Sequence, residues 1–129
     1  MIIRAGEFAW DEIERQEYKN EPGTWMDVSR RVLFSTDQSK FETRYFELAP
    51  GGYSSLEHHK HEHCVVVLRG EGEATVGEET TSVKFGDVVQ VGPHVVHQFR
   101  NNSTEPFGIL CIVDKERDRP TLAGNQLDT

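Results

Sequence analysis

The sequence predicts an all-β single domain, a jelly-roll barrel with an irregular N-terminal arm, on three observations. From Arg31 onward, short runs rich in β-branched and aromatic residues follow one another closely. Between them fall Pro50-Gly51-Gly52, Gly70, Gly72, Gly77, Gly86, Gly92-Pro93 and Asn101-Asn102, which tolerate turn conformations. The run Cys64-Val65-Val66-Val67-Leu68 is apolar on both faces, so one face points inward and the other needs cover from a second sheet or a partner chain. Closing or sandwiching such strands supplies the cover and disposes of their edges.

Taken in order, the predicted strands are 31–35, 41–48, 53–59, 63–68, 73–76, 81–84, 87–91, 95–100 and 107–113. Before them, Trp10, Tyr18 and Trp25 mix with charged residues without periodicity; 11–16 is expected to make one helical turn, and the segment to wrap the barrel or a partner subunit. The expected organisation is an arm over 1–30, a barrel over 31–119 and a loose polar tail over 120–129.

A length of 129 residues suits one core and is short for two. The longest apolar run falls far below the roughly 20 residues of a membrane span, and the start turns polar before a signal peptide could develop. A cytoplasmic protein with no membrane partner is expected. A formal charge of −8 without a basic stripe argues against nucleic acid as a partner. Cys64 and Cys111 sit in apolar runs and are expected to be free, buried small hydrophobes.

All six histidines lie between residues 58 and 97, and four fall in Glu57-His58-His59-Lys60-His61-Glu62-His63. On a straight strand Glu57, His59, His61 and His63 would share a face and His58 would point away. Neutral imidazoles with a carboxylate suit one divalent ion, Mn, Fe, Ni, Zn or Cu. Closing such a site takes a ligand from a distant strand, and His97, between two apolar runs, is the candidate. A solvated polar strand is the plain alternative, but this stretch leads directly into an apolar one. His97 alone would read as a core histidine, and His58 and His94 read as structural or rim residues. Glu57 could instead orient an imidazole by hydrogen bonding.

Two stretches resemble the motifs of the cupin family. Gly52-Tyr53-Ser54-Ser55-Leu56-Glu57-His58-His59-Lys60-His61-Glu62-His63, followed by Val67-Leu68-Arg69-Gly70-Glu71-Gly72, resembles motif one. Gly86-Asp87, then Gly92-Pro93-His94-Val95-Val96-His97-Gln98-Phe99-Arg100-Asn101, resembles motif two, and the likeness spans roughly 44–113. The resemblance implies the double-stranded β-helix of cupins and a single metal ion. Its register, counted back from Gly70, puts His63 at the usual glutamate, His59 at the second histidine and Glu57 at the first. The implied ligands are then Glu57, His59, His63 and His97, with His61 on the turn at the pocket mouth as the alternative ligand.

That likeness also implies an enzyme in which the ion polarises or oxidises a small polar metabolite such as a sugar phosphate or keto acid. Glu57 and His61 are the candidate proton-transfer residues, and Tyr53, Ser55, Val65, Val67 and Phe99 the pocket lining expected from strand parity. A metal or small-ligand binding module is the rival reading. A narrower set, Arg44-Tyr45-Phe46-Glu47, Leu56-Glu57, Leu110-Cys111 and Arg117-Asp118-Arg119-Pro120 among it, resembles a bacterial single-domain subgroup that includes a methylthio-xylulose-phosphate methylsulfurylase. A homodimer is expected, because the doubly apolar strand and the aromatic arm both need cover.

Overall fold

The computed structural model describes residues 1–18 and 24–123, and within them every regular element is a strand. In chain order these are β1 (Ala5–Gly6), β2 (Ala9–Trp10), β3 (Gln16–Glu17), β4 (Met26–Phe34), β5 (Phe41–Tyr53), β6 (Glu57–His58), β7 (His63–Arg69), β8 (Glu71–Val76), β9 (Glu79–Lys84), β10 (Val88–Val91), β11 (His97–Arg100), β12 (Phe107–Asp114) and β13 (Thr121–Leu122). Neighbours run β10-β7-β12-β5-β4-β3 in one layer and β9-β8-β11-β6-β13 in the other, antiparallel throughout. The layers join where Tyr53 pairs with Arg100, and the sheet curls into the expected jelly-roll barrel. Among the described residues no helix is long and apolar enough to cross a membrane.

Alternation decides what faces inward. Val65 and Val67 on β7, Phe46 and Leu48 on β5, Ile109 and Cys111 on β12 and Phe99 on β11 meet between the layers as one buried cluster. The intervening Cys64 is exposed, and Val66 is only partly covered by its surroundings. Both cysteines are free as expected, but burial of Cys64 is corrected: parity turns it outward, opposite Gln90 on the exposed face of β10 that also carries Val88.

The predicted break at Pro50-Gly51-Gly52 is instead a bend inside one long strand. Partner register jumps from Leu48 opposite Val28 to Tyr53 opposite Met26, and Gly51 takes φ 84° to absorb the extra residues. A Cβ on Gly52 would stand 2.9 Å from the carbonyl oxygens of both Ala49 and Met26. The bend carries β5 from one layer to the other, which is what closes the barrel.

The arm wraps its own chain. Left-handed Glu7 and Phe8, at φ 52° and 62°, turn β1 back on β2. Phe8 and Trp10 then cover Tyr45, with ring centroids 5.8 and 4.9 Å away, while the Arg69 guanidinium caps Phe8 at 4.7 Å. Tyr45 lies on the outer face of β5, opposite Arg44 and Phe46, and is wholly buried by this cover. The helical turn expected over 11–16 does not form; Gln16 and Glu17 add to the edge of β4 instead, and Arg30 donates to Gln16 Oε1 at 2.8 Å. An edge pairing satisfies backbone groups that an isolated turn leaves to solvent. β4 itself begins at Met26 rather than at Arg31. At the other end, Thr121 and Leu122 pair with β6; residues 124–129 of the expected tail lie outside the described residues.

Candidate metal centre

Two elements supply the histidine cluster. The chain bends at Lys60-His61 between β6 and β7, so His59 and His63 arrive from either side of a turn and their rings stack 4.5 Å apart. His97 opens β11, paired with Glu57 of β6, and is thereby carried across the barrel to the same point. Ligand atoms of His59, His63 and His97 all lie within 4.8 Å of one another and could hold a metal ion.

Hydrogen bonding prepares these rings for a cation. His59 Nδ1 donates to the His61 carbonyl at 2.6 Å and His97 Nδ1 to the Val95 carbonyl at 2.9 Å. A carbonyl only accepts, so each Nδ1 carries the hydrogen and each neutral ring keeps its lone pair on Nε2. Those two Nε2 atoms are 3.1 Å apart, with no hydrogen between them. Ligands at right angles around a metal at about 2.1 Å would be separated by about 3 Å, so the donor set fits a divalent ion.

Protonation is the other way to relieve such a contact, and burial opposes it. Desolvation, reinforced by repulsion from His61 and His97, pushes His59 down to about 4. His63 and His97 are pushed down for the same leading reason, with neighbouring imidazoles adding repulsion. Neutral imidazole is the metal-binding form.

Around the triad, Glu57 Oε1 is 4.0 Å from His97 Nε2, and its other oxygen accepts the Ser55 hydroxyl. His61 is buried rather than placed at an open mouth: its ring stacks on His59 at 3.6 Å and its Nε2 lies 3.1 Å from His63 Nε2. The cause is Asp118, a residue not anticipated from the sequence as part of the site. Its carboxylate accepts the Lys60 and His61 backbone N–H groups at 2.8 and 3.1 Å and His61 Nδ1 at 2.9 Å. The Lys60 amide, the His61 ring and the His61 amide hold this carboxyl well below the usual range. Asp118 therefore fixes both the turn and the tautomer that leaves His61 Nε2 as an acceptor.

A cavity of about 450 Å³ opens from this cluster between the layers. His61, His63, His97 and Glu57 line it, as do Val65 and Phe99 from the expected pocket. Tyr53, Ser55 and Val67 do not: Tyr53 packs at the β5–β11 junction beside Arg100, Ser55 is spent on Glu57, and Val67 is fully buried in the core. Cys111 and Arg44 also line it; Cys111 Sγ lies 3.3 Å from His63 Nδ1, and Arg44 Nη2 donates to that sulfur at 3.5 Å. Burial pushes the Cys111 thiol up.

The cupin domain family matches residues 44–113. A curated protein named 1-methylthio-D-xylulose 5-phosphate methylsulfurylase, from Rhodospirillum rubrum, is 41% identical over 117 residues, 90% of this chain and 75% of that protein. A crystal structure of a cupin-2 domain from Rhodospirillum rubrum superposes with a TM-score of 0.86 at 39% identity, covering 96% of this chain and 84% of that one. A cupin 2 conserved barrel domain protein from Rhodopseudomonas palustris reaches a TM-score of 0.91 at 40% identity, covering 96% and 87%.

Proposed function

This chain belongs to the cupin family, and from that premise we propose that it is a metal-dependent enzyme acting on a small phosphorylated sugar, with a 1-methylthio-ketose phosphate as the first substrate to test. His59, His63 and His97 hold the divalent ion, and Glu57 or His61 completes the set. The observation that carries the reading is the facing Nε2 pair of His59 and His97, buried with no hydrogen to share, at a cluster whose His97 and His63 line a cavity of metabolite size. The substrate follows from the name of the 41% identical relative.

A divalent ion held there supplies Lewis-acid polarisation of a carbonyl or hydroxyl oxygen. The chain's own groups do the rest. Where Glu57 completes the set, His61, with Nδ1–H committed to Asp118, keeps its Nε2 lone pair to take a proton from a carbon next to that carbonyl and deliver one back. Glu57, held by Ser55 against His97, balances charge at the centre. Phe99, Val65 and Ile109 keep the cavity wall dry, so these proton transfers occur away from bulk water. The exposed outer face of the paired strands β7 and β10, with Cys64 and Val88, supports a homodimer as the working state.

The test is incubation of tag-free, metal-loaded protein with 1-methylthio-D-xylulose 5-phosphate, with and without a small thiol, followed by mass spectrometry. With the thiol present, transfer of the methylthio group to it is expected, the C1–S bond breaking as a mixed methyl disulfide forms and the thiol's proton ending on C1; chelation and His61→Gln should abolish it. No conversion of this or other sugar phosphates by metal-replete protein would favour a binding module instead.

A further inference from the structure

Beside the imidazoles, the cavity wall is unusually basic for a chain of charge −8. Arg44, Lys115, Arg117 and Arg119 line it, against the carboxylates of Glu42 and Asp118. Asp118 is occupied by the His61 turn. Glu42 accepts Arg117 Nη2 at 3.0 Å and the Ser35 hydroxyl, and reaches Arg44 Nε only at 4.0 Å. Arg117 is further braced by the Asp114 and Lys115 carbonyls.

Arg44 is the exception in this network. Its side chain is 6% exposed, and its guanidinium lies over the Phe46 ring at 4.9 Å. Its Nε is buried without a hydrogen-bond partner, and Nη2 has only the weak acceptor Cys111 Sγ. A buried guanidinium so poorly matched is costly unless an anion completes it. Its planar fork suits a phosphate or carboxylate, and Phe46 and Cys111 hold it against the same cavity that His63 enters.

We propose that Arg44, with Lys115, Arg117 and Arg119 flanking it, is the anion subsite of this cavity and binds the phosphate of a short-chain phosphorylated metabolite. It rests on the metabolite-enzyme reading above and adds which end of the ligand goes where. Cys111 Sγ alone bridges Arg44 to His63, so the phosphate and the oxygen at the metal centre are separated by a few carbon atoms. Excess positive charge over Glu42 selects a dianion above a monoanionic carboxylate.

Metal-free protein separates this inference from the metal reading. Calorimetric titration with inorganic phosphate, at ionic strength matched with chloride, is expected to saturate at one ion per chain. Glycerol 3-phosphate should compete and glycerol should not. Arg44→Gln should weaken phosphate by about tenfold or more, as expected for loss of hydrogen bonds to a charged group. Because Arg44 is buried, circular dichroism must first show that variant folded; the exposed-side pair Lys115→Ala, Arg119→Ala, which should weaken phosphate several-fold, tests the subsite in either case. His59→Ala with His97→Ala should leave phosphate affinity within about twofold while abolishing metal uptake. No saturable phosphate binding, or phosphate binding unchanged in the folded Arg44 variant and in the surface pair, overturns the inference whatever the metal content proves to be.

Discussion

Acid should destabilise the metal-free protein well above the range in which carboxylates titrate, and His59 sets the minimum size of the effect. In the folded chain His59 titrates near 4, against about 6.5 when unfolded, because burial and neighbouring imidazoles disfavour its charge. Between those values the unfolded chain binds the extra proton. Stability is therefore fully present above about pH 6.5 and is lost as pH falls towards 4. For His59 alone the loss at pH 5 is about 2 kcal/mol. His63 and His97 shift in the same direction and can only add to it. For a chain of 129 residues that corresponds to a drop of about 7 °C in Tm. Urea denaturation in the presence of a chelator, at pH 7 and pH 5, reads it as a fall in midpoint at constant m-value. His59→Gln should remove its share of the fall. Equal midpoints at the two pH values, or an undiminished fall in the variant, would refute the claim that these imidazoles are held neutral.

Other consequences lie outside the triad. Gly108→Ala should cost about 3 kcal/mol, because the new Cβ overlaps the Tyr45 hydroxyl and comes within 2.6 Å of its Cζ; chemical denaturation measures this, and Tyr45→Phe in the same chain should recover part of it. Asp118→Ala should weaken metal affinity by about 10–100-fold while the chain stays folded, since it frees the turn carrying His59, His61 and His63; competition with a chromogenic chelator reads the change. In the native protein a thiol reagent should modify Cys64 quickly and Cys111 only after unfolding, because one is exposed and the other is buried with a raised thiol pKa. Mass spectrometry that finds both thiols labelled at the same rate would contradict the burial of Cys111.

Much of the barrel is legible in the sequence because strand parity and turn residues are local signals. Val65 and Val67 alternate with Cys64 and Val66, and the structure sorts them to opposite faces. Local signals fail where one residue type serves two purposes. Pro50-Gly51-Gly52 has the composition of a loop, yet the same conformational freedom lets β5 bend without ending. The arm has no period to read, because Phe8 and Trp10 act as single aromatic caps on Tyr45 and not as a face of an element.

The histidines were legible for a similar reason: crowding and spacing are visible in the chain. What orients them is not. Asp118 reaches Lys60 across 58 positions, and Arg44 meets Cys111 across 67. Such partners are set by β5 and β12 lying side by side and by the segment after β12 returning over the turn, so they emerge only with the fold. One signal was available for Asp118, in the Arg117-Asp118-Arg119-Pro120 string shared with the subgroup, but nothing in that string says that its carboxylate holds an imidazole.

The facing lone pairs of His59 and His97 call for an ion, and its presence is directly measurable. Protein expressed without a histidine tag and purified without chelator should carry close to one divalent metal per chain by elemental analysis, and His59→Ala with His97→Ala should carry almost none. Equal metal content in the two proteins, both folded, would contradict the assignment of these imidazoles as a metal centre.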